Sequence, residues 1–221
     1  MIALLGWTMM LTGACGEIKT NANTNIKSPV QVKVDWPQFI KRHDLIWHAL
    51  PTNFDYGAFL GNGMLGTMIY QDAPNRLRWE MGRSDVTAHR RDNNRLPIGA
   101  LVLNTAGKIQ GGTMRTNLWD AEVTGTVTTD KGTIAFRSFI HTHKMVLITD
   151  LNSTDGEKAA SFAWEPRPCV DRVNKRFKDA PNPPSKTKTI DKITVCTQPR
   201  LGGGQFATAW KQTPLPKGRR L

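Results

Sequence analysis

Hydrophobic and polar positions alternate with a period of two along most of this chain, and short polar clusters punctuate the alternation. Residues 30–34 (Val-Gln-Val-Lys-Val) alternate strictly and predict a strand. The apolar run from Met64 to Tyr70 predicts a buried strand. Leu77 and Trp79, between Arg76, Arg78 and Glu80, predict another, and residues 98–103 predict one bounded by Pro97 and Asn104. From Gly111 onward strands are predicted over residues 113–118, 122–128, 133–141, 145–151 and 159–165. Asp130-Lys131-Gly132 supplies a hairpin turn, and Asn152 to Gly156 a second turn. Phe162 and Trp164 fall on one side of the last of these strands. Residues 191–197 and 205–211 resume strand character around Gly202-Gly203-Gly204. Helical signals are confined to residues 36–48, where Asp35 is placed to cap and Pro37 sits in the first turn. The pattern predicts a mainly all-β fold, an antiparallel β-sandwich or supersandwich with a short helix or irregular segment near 36–48.

Composition adds a core and an uneven charge. The 221 residues are 39% hydrophobic and include seven tryptophans, enough for a substantial core. The formal charge of +12 is concentrated in the tail: residues 166–221 hold 13 Lys and Arg against 3 acids, while residues 1–165 hold 17 against 15. Residues 166–190 read as a basic, Pro-rich loop. Anionic glycans or nucleic acid could meet this charge, and so could acidic residues of a neighbouring domain. Only Phe177 interleaves the Pro-rich part, so no nucleic acid is expected.

The apolar run Met1 to Ala14 is shorter than a membrane span and suits a signal peptide. Leu11-Thr12-Gly13-Ala14-Cys15 resembles a bacterial lipoprotein signal, with Cys15 as the lipidated residue. This predicts an exported protein of the bacterial cell envelope, or a periplasmic or extracellular one, touching membrane only through that anchor. Residues 16–28 read as a flexible tether, and residues 29–221 as one sandwich domain, expected to be cut short at its C-terminal end. In an exported protein Cys169 and Cys196 could pair, but their spacing is not that of a zinc site.

Candidate chemistry gathers around one glycine-rich turn. In Leu60-Gly61-Asn62-Gly63-Met64-Leu65-Gly66 the glycines permit a tight turn, with Asn62 presented on it. Asn62 could reach a sugar hydroxyl or bond its own backbone. Further on, Arg83, Asp85 and His89, with Arg90, Arg91 and Asp92, form a polar cluster. Its Arg and Asp side chains could fork onto sugar hydroxyls while Trp79 stacks on a pyranose face. The same groups could equally form an internal network that fixes a surface loop. His141 and His143 share one face of a predicted strand, but no third ligand accompanies them, so no metal is expected. No Ser-His-Asp pattern, phosphate loop or dinucleotide fingerprint is present, and no cofactor is expected.

The order of several segments resembles the N-terminal β-sandwich domain of bacterial glycosidases with an (α/α)6 barrel, related to the family 95 α-L-fucosidases. The segments are Trp47-His48-Ala49-Leu50-Pro51, Leu60 to Gly66, Leu77-Arg78-Trp79-Glu80, Gly82-Arg83-Ser84-Asp85-Val86, Leu96-Pro97-Ile98-Gly99 and Leu118-Trp119-Asp120-Ala121-Glu122-Val123. Thr52 to Ala58 is an insertion relative to that family. The resemblance implies a non-catalytic domain of an exported, fucosidase-like glycoside hydrolase, packed on a helical barrel that carries the catalytic carboxylates. No catalytic residue is therefore expected in this chain. The other expectation is a non-catalytic, surface glycan-binding lipoprotein.

Overall fold

The structure, a computed structural model, describes residues 33–87, 95–167, 170–171, 180–200 and 203–214. The signal segment with Cys15, the tether, His89 to Asp92 and Cys169 lie outside the described residues, as does most of the predicted strand at 30–34. Helix α1 spans Trp36–Lys41; Asp35 Oδ1 accepts from the Gln38 N–H at 3.2 Å, and Pro37 lies in the first turn. The first strands are β1 (Leu45–Trp47), β2 (Ala58–Gly61), β3 (Leu65–Ala73), β4 (Arg76–Thr87) and β5 (Arg95–Asn104). Next come β6 (Ile109–Asn117), β7 (Glu122–Thr129), β8 (Thr133–Ile140), β9 (Leu147–Ser153) and β10 (Ser161–Glu165). The last are β11 (Val170–Asp171), β12 (Ala180–Pro181), β13 (Lys186–Ile190), β14 (Ile193–Pro199) and β15 (Gln205–Trp210).

Two five-stranded antiparallel sheets make the sandwich. One runs β1-β6-β7-β8-β9 and the other β10-β5-β4-β3-β2. Strand alternation sends Leu60, Leu65, Ile69, Leu77 and Trp79 from one sheet against Met114, Val123, Val127, Ile134 and Phe136 from the other, in one core. Trp79 is its centre. It is fully buried, meets Phe136 and Phe162 edge-on at 5.4 and 5.6 Å, and donates from Nε1 to Ser138 Oγ at 3.0 Å. Strands β13-β14-β15 form a third sheet, which lends Phe206 to the core and sets Trp210 5.9 Å from Trp164.

One end of the sandwich is pinned by a buried carboxylate. Glu157, in a 3-10 turn between β9 and β10, has no solvent exposure. It accepts from the Ala106 and Gly107 N–H groups, both at 2.8 Å, and from Thr129 Oγ1 at 2.5 Å. The β5–β6 and β7–β8 turns are thereby tied to one side chain. Burial pushes this carboxyl's pKa up, but the three donors and Lys131 outweigh it, and the net direction is down.

Several boundaries differ from the sequence reading. Strand β5 runs through Pro97, which a bulge opposite Gly82 accommodates without a ladder donor. Strand β8 stops at Ile140, so His141 and His143 belong to a turn, where His141 Nδ1 accepts from the His143 N–H at 3.1 Å. The predicted strand over residues 191–197 begins two residues later, as β14 at Ile193, and β13 (Lys186–Ile190) occupies the end of the stretch read as a Pro-rich loop. Asp191 and Lys192 both take positive φ, 48° and 66°, and make the turn between them without glycine.

Candidate functional site

The outer face of the β10-β5-β4-β3-β2 sheet holds a cleft of about 610 Å³. Its floor follows from strand register. Gly61 on β2 faces Gly66 on β3, Gly66 faces Gly82 on β4, and Gly82 faces Pro97 on β5. Three glycines therefore align across three strands and leave a trough of bare backbone. A Cβ built at Gly82 would meet nothing within 4 Å, so the space above it is open. The next cross-strand row is Phe59, Met68, Glu80 and Ala100, and Phe59 and Glu80 form one wall. Phe59 is 48% exposed and Phe54, edge-on to Tyr70 at 6.2 Å, is 46% exposed. Two aromatic rings thus present open surface to the cleft.

Asn62 shapes the near end of the trough rather than lining it. Its Oδ1 accepts from the Met64 and Leu65 N–H groups at 3.0 and 2.9 Å, and Gly63 takes φ of 88° in the turn. Its Nδ2 donates to the carbonyls of His141 and Lys144 at 2.9 and 3.1 Å. Two donors and two acceptor positions are all in use, so the β2–β3 turn is tied to the β8–β9 turn. The amide has nothing left for a sugar hydroxyl. Ser84 Oγ closes the same end by donating to the Gly63 carbonyl at 2.6 Å.

The electrostatics form a neutral ladder along the same sheet face. Arg76 bridges Asp72 (3.2 Å) and Glu165 (2.6 Å), while Arg78 joins Asp72 (2.6 Å), Glu80 (3.4 Å) and Glu165. Arg167 reaches Glu80 at 3.0 Å. Burial raises the Glu165 pKa, but Arg78 and Arg76 outweigh that and hold it below the usual range. The hydrogen bond to Glu80 raises the Arg167 pKa further. Tyr70 is pushed up by burial and by the Glu80 charge. Glu80 is therefore a guanidinium-clamped acceptor at the cleft wall.

The residues singled out from sequence separate here. Trp79 points into the core on the opposite face of β4, with no surface for a sugar to stack on; its phase with Leu77 decides this. Arg83 does line the cleft, and it holds Asp85 through Nε at 3.0 Å and Nη2 at 2.6 Å. His89 lies outside the described residues. Cys196 is a buried free thiol, and Cys169, its expected partner, lies outside the described residues. Among the described residues no cluster of three or more His, Cys, Asp or Glu could hold a metal ion. Sequence reasoning missed Phe59, Glu80, Gly82 and Arg167 as one site. Phe59 was accessible to it: two residues before Gly61 on a strand, it shares that glycine's face. No protein-family model matches this chain, and no curated protein matches it significantly.

Proposed function

We propose that this chain is a non-catalytic β-sandwich module of an exported carbohydrate-active protein, and that the glycine-floored cleft is its saccharide contact. The observation that carries this reading is the pairing of a bare-backbone trough with two half-exposed phenyl rings and a clamped carboxylate. Sugar rings offer C–H faces to aromatic rings and hydroxyls to fixed charged acceptors and donors. Glu80 is the one carboxylate among the described cleft-lining residues. Glycoside hydrolysis needs two carboxyl groups, about 5–9.5 Å apart, so binding without chemistry suits the cleft better.

The wider protein is read as an exported, fucosidase-like glycoside hydrolase whose helical barrel would carry the carboxylates, with Cys15 as the lipid anchor. Trp36 and Ile46, 56% and 60% exposed on α1 and β1, support packing against such a neighbour. Among the described residues no helix is long and apolar enough to cross a membrane. Affinity electrophoresis of the chain in polysaccharide gels tests the binding. Retardation that weakens about tenfold or more in Phe59→Ala supports the reading. Undiminished binding by that variant, or hydrolysis of aryl fucosides by the chain alone, refutes it.

A further inference from the structure

The cleft's charge points beyond saccharides in general to one class of them. Arg83, Arg95 and Arg167 all line it, against the single lining carboxylate of Glu80. Arg83 is matched by Asp85 from just outside, and Arg167 by Glu80. Arg95 is exposed and has no carboxylate partner among the described residues. It sits two residues before Pro97 on β5, at the far end of the glycine row from Phe59. The trough therefore runs from an aromatic wall on β2, over three glycines and Pro97, to Arg95 on β5, a guanidinium with no carboxylate partner among the described residues.

A guanidinium recognises a planar carboxylate through two parallel N–H donors, which an ammonium or a hydroxyl cannot reproduce. We infer that the cleft selects a carboxylate-bearing saccharide, a uronic-acid residue within an oligosaccharide, with Arg95 as the group that reads the acid. This rests on the saccharide reading above. The apolar and aromatic lining holds the ring, and the position of Arg95 places the carboxylate at the β5 end. A neutral sugar offers the Arg95 guanidinium no anionic group. An acidic one gains a charge-assisted pair beside apolar walls, where screening is weaker than at an open surface.

Calorimetric titration of the full chain with three size-matched oligosaccharides tests this: one of galacturonate, one of galactose and one of sulfated galactose. The galacturonate oligomer should bind about tenfold or more tighter than the neutral one at low salt. Arg95→Gln should abolish that preference while keeping the neutral oligomer's affinity and the Tm. Equal affinity for acidic and neutral oligomers overturns the inference but leaves the saccharide reading standing. Tighter binding of the sulfated oligomer overturns the carboxylate assignment. Absence of binding to all three removes both the inference and the reading beneath it. An undiminished acidic preference in Arg95→Gln shows that this residue does not read the acid, and overturns its role.

Discussion

Replacing Glu157 by glutamine changes one atom of the side chain and keeps its shape, so it isolates the charge at the pinned end of the sandwich. The carboxylate accepts two backbone N–H groups and one hydroxyl with no solvent exposure. In its best orientation the amide keeps a carbonyl oxygen for Gly107 and Thr129 and turns its NH2 toward the Ala106 N–H. Two charge-assisted bonds then become neutral, at about 1 kcal/mol each, and one buried N–H loses its acceptor, at about 1–3 kcal/mol. Relief from burying a charge offsets part of this, so the net cost is about 2–4 kcal/mol. For a domain of this size that lowers Tm by roughly 4–16 °C.

The same side chain sets an acid limb. Its folded pKa lies below the unfolded carboxyl value of about 4.3. Its stabilisation is therefore complete above that value and disappears as pH falls through the folded pKa. Urea unfolding of wild type and Glu157→Gln at neutral pH and at intervals down through the acid range measures both effects. The gap between the two proteins should be widest near neutrality and narrow as the medium becomes acidic. A gap under about 0.5 kcal/mol at neutral pH, or one that widens with acid, refutes the reasoning.

Asn62→Ala removes four hydrogen bonds that join two turns and should cost about 2 kcal/mol; limited proteolysis should then cut first at the β8–β9 turn. Gly99→Ala forces a side chain onto φ of 136°, with its Cβ 2.5 Å from the Trp164 ring and 2.7 Å from the Glu165 carbonyl. It should destabilise by more than about 3 kcal/mol in chemical denaturation. Trp79→Ala should cost about 3–5 kcal/mol, because it empties the centre of the core and removes the Nε1 donor from Ser138, which keeps only Thr149. A smaller loss in calorimetry would mean that the core collapses around the vacancy.

Strands and turns with local signals were legible from sequence. Alternation located β6 to β8, and Asp35 with Pro37 located the start of α1, although the helix ends at Lys41 and the rest of the 36–48 segment holds β1. What failed was information held by partners. β1 has three residues, too few for a period to register, and is defined by its ladder with β6. Asp191 and Lys192 turn the chain without the usual glycine, because the pairing of β13 with β14 imposes the conformation. A sugar platform at Trp79 is excluded by its phase with Leu77, which puts the ring on the core face. The glycine motif showed its turn plainly, but the floor it builds requires Gly82, which joins Gly61 and Gly66 only through register.

That floor is where the account is most directly tested. Gly82 has open space where a side chain would go and no positive φ, so Gly82→Leu should fold with an unchanged Tm while filling the trough. Saccharide titration of wild type and Gly82→Leu is the measurement. Loss of binding with stability intact is the predicted result. A Gly82→Leu protein that is equally stable and binds saccharide as well as wild type would contradict the cleft as the binding site.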